Sequence, residues 1–128
     1  AQRLVRKLCI NCRVACPLTP ELIEKITKEL AAFPSGIPIP SKDTWTVFTV
    51  SPNGCPICNN MKYKERVAVY EIILNNEEIQ TLILRGGATE FELVRAASRE
   101  GQITMSQDGL LKILAGMTDF EERDRIIG

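Results

Sequence analysis

The chain has 128 residues and a mass of 14.3 kDa, and its 45% apolar content is enough for one ordinary domain, or two small mutually supporting units, around a packed core. Sixteen basic residues balance sixteen acidic ones, which removes the overall positive field that drives binding to nucleic acid or an anionic membrane; no nucleic-acid partner is expected. No stretch approaches the roughly 18 uninterrupted apolar residues of a transmembrane helix, and no charged start, apolar run and small-residue cleavage site mark a signal peptide, so a soluble, cytosolic protein is expected.

The opening Gln2-Arg3-Leu4-Val5-Arg6 reads like the middle of an element, as in a fragment of a longer protein. Residues 3–8 read as a strand leading into Cys9. Thr19-Pro20-Glu21 supplies an N-cap, a proline suited to the first helical position and an acid near the positive helix end. Leu22, Ile26, Leu30 and Phe33 follow at helical spacing, which predicts an amphipathic helix from 20 to about 33. Prolines 34, 38 and 40 with Gly36 make a stiff loop, and residues 44–50, rich in β-branched and aromatic side chains, predict a strand. Ser51-Pro52-Asn53-Gly54 then turns the chain. Residues 66–74, with Val67, Val69, Tyr70, Ile72 and Ile73, predict the strongest strand, apolar enough to be largely buried.

From Asn75 the pattern changes to short helices. Asn76 caps a helix over 77–85 ended by Gly86-Gly87, and Thr89-x-x-Glu92 is a capping box for a helix that stops at Gly101. Thr104-x-x-Gln107 opens a third, ended near Gly116, and Thr118-x-x-Glu121 a fourth.

Five cysteines and no histidine are an unusual inventory, and the odd count argues against a complete set of internal disulfides. Two Cys-x-x-Cys pairs, Cys9-Ile10-Asn11-Cys12 and Cys55-Pro56-Ile57-Cys58, are separated by 42 residues. A two-residue spacer lets both thiolates of a pair turn toward one point, and two such knuckles make a four-sulfur zinc site. Gly54, Asn59 and Asn60 allow the backbone angles of a tight turn. Closing the intervening loop costs about 3 kcal/mol plus a constant, against roughly 10 to 16 kcal/mol from structural zinc in small zinc peptides. Arg6, Lys7, Arg13, Lys62 and Lys64 lie close in sequence to screen the thiolates. Cys16 falls outside the pairing and reads as a spare, partly buried thiol. The same ligands build a rubredoxin-like iron site, and buried apolar thiols or two redox-active Cys-x-x-Cys pairs are further readings of the same residues.

No Gly-x-x-x-x-Gly-Lys-Ser/Thr phosphate loop is present and there is no histidine base. Asp43, Asp108 and Asp119 lie beside capping or turn signals and read as local hydrogen-bonding residues. No catalytic and no nucleotide-binding residue is assigned.

Three stretches carry a resemblance beyond spacing: Ala1-Gln2-Arg3-Leu4-Val5-Arg6-Lys7-Leu8-Cys9, Gly54-Cys55-Pro56-Ile57-Cys58 and Tyr63-Lys64-Glu65-Arg66-Val67-Ala68-Val69-Tyr70-Glu71. The tail adds Arg99-Glu100-Gly101, Met105-x-x-Asp108-Gly109-Leu110-x-Lys112 and Gly116-x-Thr118-x-x-Glu121-Glu122 in the same order. Together they resemble the C-terminal part of the type II secretion and type IV pilus assembly ATPases. Lys62, Glu65 and Ala68 stand where that family commonly has glycines, so a different backbone path is expected there.

The resemblance implies a non-catalytic, structural and partner-contacting segment of a ring-forming, typically hexameric motor at the cytoplasmic face of the inner membrane. Cys9, Cys12, Cys55 and Cys58 match the family's zinc positions, while ATP and Mg2+ belong to motifs upstream in the parent. Expected partners are the parent's ATPase core, neighbouring subunits and inner-membrane assembly-platform proteins. The fold expected is α+β: a four-cysteine zinc module with short strands and an inserted helix over 1–74, and an all-helical subdomain over 75–128. A free-standing zinc-ribbon module that binds protein or nucleic acid is the alternative.

Overall fold

A computed structural model describes all residues, Ala1–Gly128. Its architecture is α+β, with short strands and five helices in the order β1 (Gln2–Leu8), β2 (Val14–Ala15), α1 (Pro20–Ala31), β3 (Phe48–Thr49), β4 (Tyr63–Tyr70), α2 (Glu77–Arg85), α3 (Glu90–Arg99), α4 (Met105–Leu114) and α5 (Phe120–Ile127). No helix is long and apolar enough to cross a membrane.

The strands that flank the cysteines pair antiparallel, with Gln2 opposite Tyr70, Val5 opposite Val67 and Arg6 opposite Arg66. The register then slips, so that Leu8 faces Tyr63 and the two residues Lys64 and Glu65 lie opposite Lys7 alone. This is a β-bulge, and Glu65 meets its backbone demand at φ 68°. Val5 and Val69 are completely buried between this ribbon and the helices.

Predicted helix starts agree with the structure where side-chain oxygens reach the first free N–H groups. Thr19 accepts from Leu22 N–H, Asn76 from Ile79 N–H, and Thr89 and Thr104 form reciprocal capping boxes with Glu92 and Gln107. The last helix starts one residue later than expected. Asp119, not Thr118, caps α5 by accepting from Glu122 N–H, while the Thr118 hydroxyl is turned to the Arg6 carbonyl, to which it donates at 2.8 Å.

Two predicted strands are corrected. Residues 44–50 yield only the two-residue β3, paired with Val14–Ala15. A turn of 3-10 helix covers Lys42–Thr44, and Thr46 donates from both its N–H and its hydroxyl to the Leu114 carbonyl, each at 2.9 Å. The β-rich segment thus closes the C-terminal end of α4 instead of extending a sheet. The 66–74 strand is shifted to Tyr63–Tyr70, and Ile72, Ile73 and Leu74 beyond it are exposed rather than buried.

The main core joins Ile26 and Leu30 of α1, Phe33, Trp45 and Val47 to Leu110, Ile113 and Leu114 of α4. Each such side chain contributes about 1.5–3 kcal/mol of burial. This core therefore draws on residues before and after position 75.

Candidate metal centre

Each knuckle forms where a strand end is forced to turn. β1 stops at the buried Leu8, whose N–H donates to Met117 O at 2.9 Å. The Cys9 carbonyl then accepts from Cys12 N–H at 3.3 Å and Arg13 N–H at 2.9 Å, which folds the first pair into a tight loop. In the second, Pro56–Cys58 make a 3-10 turn, Asn60 N–H returns to Cys55 O at 2.9 Å and Met61 N–H to Cys58 O at 3.0 Å. Asn59 and Asn60 take left-handed angles, φ 53° and 59°, which asparagine tolerates better than most side chains.

Gly54 is required for a further reason. At φ 72°, a Cβ built on it would lie 2.6 Å from Asn60 Cα. The expectation for Gly54, Asn59 and Asn60 thus matches the geometry. Lys62 and Glu65 also lie in the left-handed region at φ 71° and 68°, where glycine is free of strain, whereas Ala68 does not.

The two knuckles bring Cys9, Cys12, Cys55 and Cys58 to one point. All four Sγ atoms lie within 4.8 Å of one another, with Cys9–Cys55 and Cys55–Cys58 at 3.7 Å and Cys12–Cys58 at 3.8 Å. These separations are far beyond the roughly 2.05 Å of a disulfide bond, and all five cysteines are free. Four sulfurs placed tetrahedrally about 2.3 Å from one ion would be roughly 3.8 Å apart, so this donor set could hold a single metal ion. No histidine or carboxylate joins the cluster. Cys9, Cys55 and Cys58 are buried and Cys12 half-buried. Cys16 lies outside it, half-buried beside the α1 core, with its sulfur 3.9 Å from Pro17 O.

The electrostatics favour a cation at this point. A hydrogen bond from the Asn11 side chain, followed by a backbone N–H, draws Cys55 down to about 6. Burial raises Cys58, but backbone hydrogen bonds outweigh it and its pKa falls; one comes from Lys62 N–H, 3.3 Å from the sulfur. A Ser51 hydrogen bond pulls Cys12 down, yet burial and the adjoining thiols of Cys55, Cys9 and Cys58 push it up to about 12. Thiolates this close repel one another unless a positive ion lies between them.

Of the basic residues expected to screen the site, Arg6 and Arg13 are committed elsewhere. Arg13 Nη1 donates to Gly116 O at 2.7 Å, with its guanidinium 4.0 Å from the Phe48 ring centroid. Arg6 makes three hydrogen bonds to the buried Glu122: its N–H at 2.9 Å, Nε at 3.1 Å and Nη2 at 2.8 Å. Arg125 holds the same carboxylate from the other side at 2.9 and 3.0 Å. Burial alone would raise Glu122, but these guanidinium bonds and the Arg6 N–H hold it at about 2.

Beside it, Tyr63 donates to Asp119 at 3.0 Å. Local sequence signals missed this polar network because Arg6 and Tyr63 lie more than 50 residues from their partners Glu122 and Asp119. The only hint was the acid doublet Glu121-Glu122 beside a cap. Asp119 serves as a local hydrogen-bonding group for Glu122 N–H, and Asp108 accepts locally from Lys112 Nζ but also from the distant Tyr70 N–H.

The fold and cluster together define an α+β protein built around a four-thiol candidate metal centre. The chain belongs to the type II/IV secretion system protein family, whose model matches residues 1–125. It is 33% identical over 126 residues to the type IV pilus assembly ATPase PilB of Pseudomonas aeruginosa, covering 98% of this chain and 20% of the relative. It is 32% identical over 127 residues to type II secretion system protein E of Pectobacterium carotovorum, covering 98% and 22%. Against PilB of Myxococcus xanthus it is 34% identical over 122 residues, covering 95% and 20%. The chain thus spans about a fifth of the length of these relatives.

Proposed function

We propose that this chain is the non-catalytic, zinc-binding segment of a hexameric secretion or pilus-assembly motor ATPase, with a structural and partner-contacting role. The observation that carries the reading is the convergence of Cys9, Cys12, Cys55 and Cys58 Sγ within 4.8 Å, in a chain aligned along nearly its whole length with a type IV pilus assembly ATPase and a type II secretion system protein E. Zinc suits four thiolates in a closed site without an open coordination position, where the ion fixes the chain instead of activating water. It would tie the ends of β1 and β4 together.

The bracing role draws support from three bonds that fasten the metal loops to the α4–α5 turn. They are Leu8 N–H to Met117 O, Arg13 Nη1 to Gly116 O, and Thr118 hydroxyl to Arg6 O. In this reading residues 1–74 carry the metal module and 75–128 the helices that brace it. ATP and Mg2+ are handled by other parts of the parent protein, since this chain has no phosphate loop. The ATPase core, neighbouring subunits and assembly-platform proteins at the cytoplasmic face of the inner membrane are the partners that follow.

Calorimetric titration tests both halves of the proposal. Zinc should bind to the metal-stripped chain with one-to-one stoichiometry and restore its dispersed amide spectrum, whereas magnesium-ATP should give no saturable heat. Saturable micromolar binding of ATP with turnover, or a fully folded chain indifferent to zinc, would overturn it.

A further inference from the structure

The chain's balanced charge is unevenly distributed. All sixteen acidic residues fall outside 1–20 and 44–64, the two stretches that build the cysteine knuckles, and these stretches hold six basic residues. Ile10, between the cysteines of the first knuckle, is 72% exposed; Ile57 in the second and Met61 just after it are 53% and 66% exposed. The three belong to one patch. Ile10 and Ile57 line a groove of about 470 Å³ with Lys7, Lys64 and Glu65, and Met61 lines its neighbour with the same Lys64 and Glu65 and with Arg66. Glu65, the one acid here, lies 3.6 Å from Lys7 Nζ, while Lys62, Lys64 and Arg66 enter no ion pair.

We propose that the two knuckles dock on an anionic lipid surface, with Ile10, Ile57 and Met61 entering the headgroup region and Lys7, Lys62, Lys64 and Arg66 meeting lipid phosphates. Exposed aliphatic side chains among cations combine the two forces of interfacial binding, burial of apolar area and attraction to acidic headgroups. These four cations outnumber Glu65 together with the two negative charges that four thiolates around one zinc ion would leave. Their chemistry favours lipid over an acidic protein. Arginine forks suit fixed carboxylates, and Arg3, Arg6 and Arg13 are tied within the fold to Ile126 O, Glu122 and Gly116 O. The cations left at the patch are mostly lysines, compact charges on flexible stems that can follow mobile headgroups. Nucleic acid fits less well, since the one ring of the patch, Tyr63, is already covered by the Arg6 guanidinium at 4.2 Å and offers no stacking face. The inference rests on the zinc reading in that the metal holds both loops in place, and it adds a lipid contact made by this chain itself.

The test is co-sedimentation of the zinc-loaded chain with vesicles of phosphatidylcholine alone or mixed equally with phosphatidylglycerol. Zinc content measured on the same samples keeps failure of the metal reading distinct from failure of this one. The chain should pellet with the anionic vesicles only. Ile10→Ser and Lys64→Gln should each lower its partition about fivefold at unchanged zinc content, the scale of one apolar tip or one interfacial charge. Binding to neither vesicle, equal binding to both, or anionic binding that Ile10→Ser leaves unchanged would overturn the proposal. So would retention on a polyglutamate surface without vesicle binding, because an acidic protein would then be the partner of the patch.

Discussion

Lys62 bonds both cysteine knuckles at once: its carbonyl accepts from Cys9 N–H at 3.1 Å while its own N–H points to Cys58 Sγ at 3.3 Å. It does so from a left-handed backbone, φ 71°, which costs a side-chain-bearing residue roughly 1–2 kcal/mol. Lys62→Gly should therefore stabilise the zinc-loaded chain by about 0.5–1 kcal/mol, once the greater freedom of glycine in the unfolded chain is discounted. Lys62→Val should destabilise it by more than that. Urea unfolding of both variants at equal zinc saturation measures the effect, and a destabilised glycine variant would show that this conformation stores no strain.

Gly54→Ala addresses the same turn with the opposite sign. The added methyl meets Asn60 Cα at 2.6 Å and the backbone stays at φ 72°. The second knuckle has to shift, and its two thiolates with it. Zinc affinity should fall about tenfold or more, the scale seen when groups that orient ligands are removed. Competition against a chromophoric chelator reads this directly.

Glu122 makes stability pH-dependent in a defined direction. Its carboxyl is held at about 2 against an ordinary 4.5, so its contribution is complete above about 4.5 and is lost as the pH falls toward 2. Glu122→Gln leaves Arg6 and Arg125 facing a neutral amide and should cost about 2–4 kcal/mol at pH 7. Acid also protonates the cysteines, so the informative quantity is the gap between wild type and variant, which should close as the pH drops from about 5 to about 2. A gap independent of pH would mean that the carboxylate charge contributes nothing.

Helix positions were legible because caps act locally: Thr19, Asn76, Thr89 and Thr104 each bond within three residues of themselves. The cysteine convergence was legible from spacing, since each two-residue spacer restricts where its sulfurs can turn. What the sequence concealed depends on distant partners. The 44–50 segment has strand propensity, but the free Leu114 carbonyl captures Thr46, and the run at 72–74 has the apolarity of a core strand yet lies exposed beyond the end of β4. Thr118 and Asp119 are both good caps, and only the fold shows that Asp119 bonds Glu122 N–H while the Thr118 hydroxyl turns to the Arg6 carbonyl, 112 residues away.

Metal content of purified protein, measured across serine replacements of all five cysteines, tests the central claim most directly. Wild type and Cys16→Ser should each carry one zinc per chain, because Cys16 lies outside the cluster. Cys9→Ser, Cys12→Ser, Cys55→Ser and Cys58→Ser should each lose most of it and loosen the β1–β4 ribbon, having lost one of four ligands. Stoichiometric iron with visible colour, or zinc content unchanged by all four ligand replacements, would contradict the account.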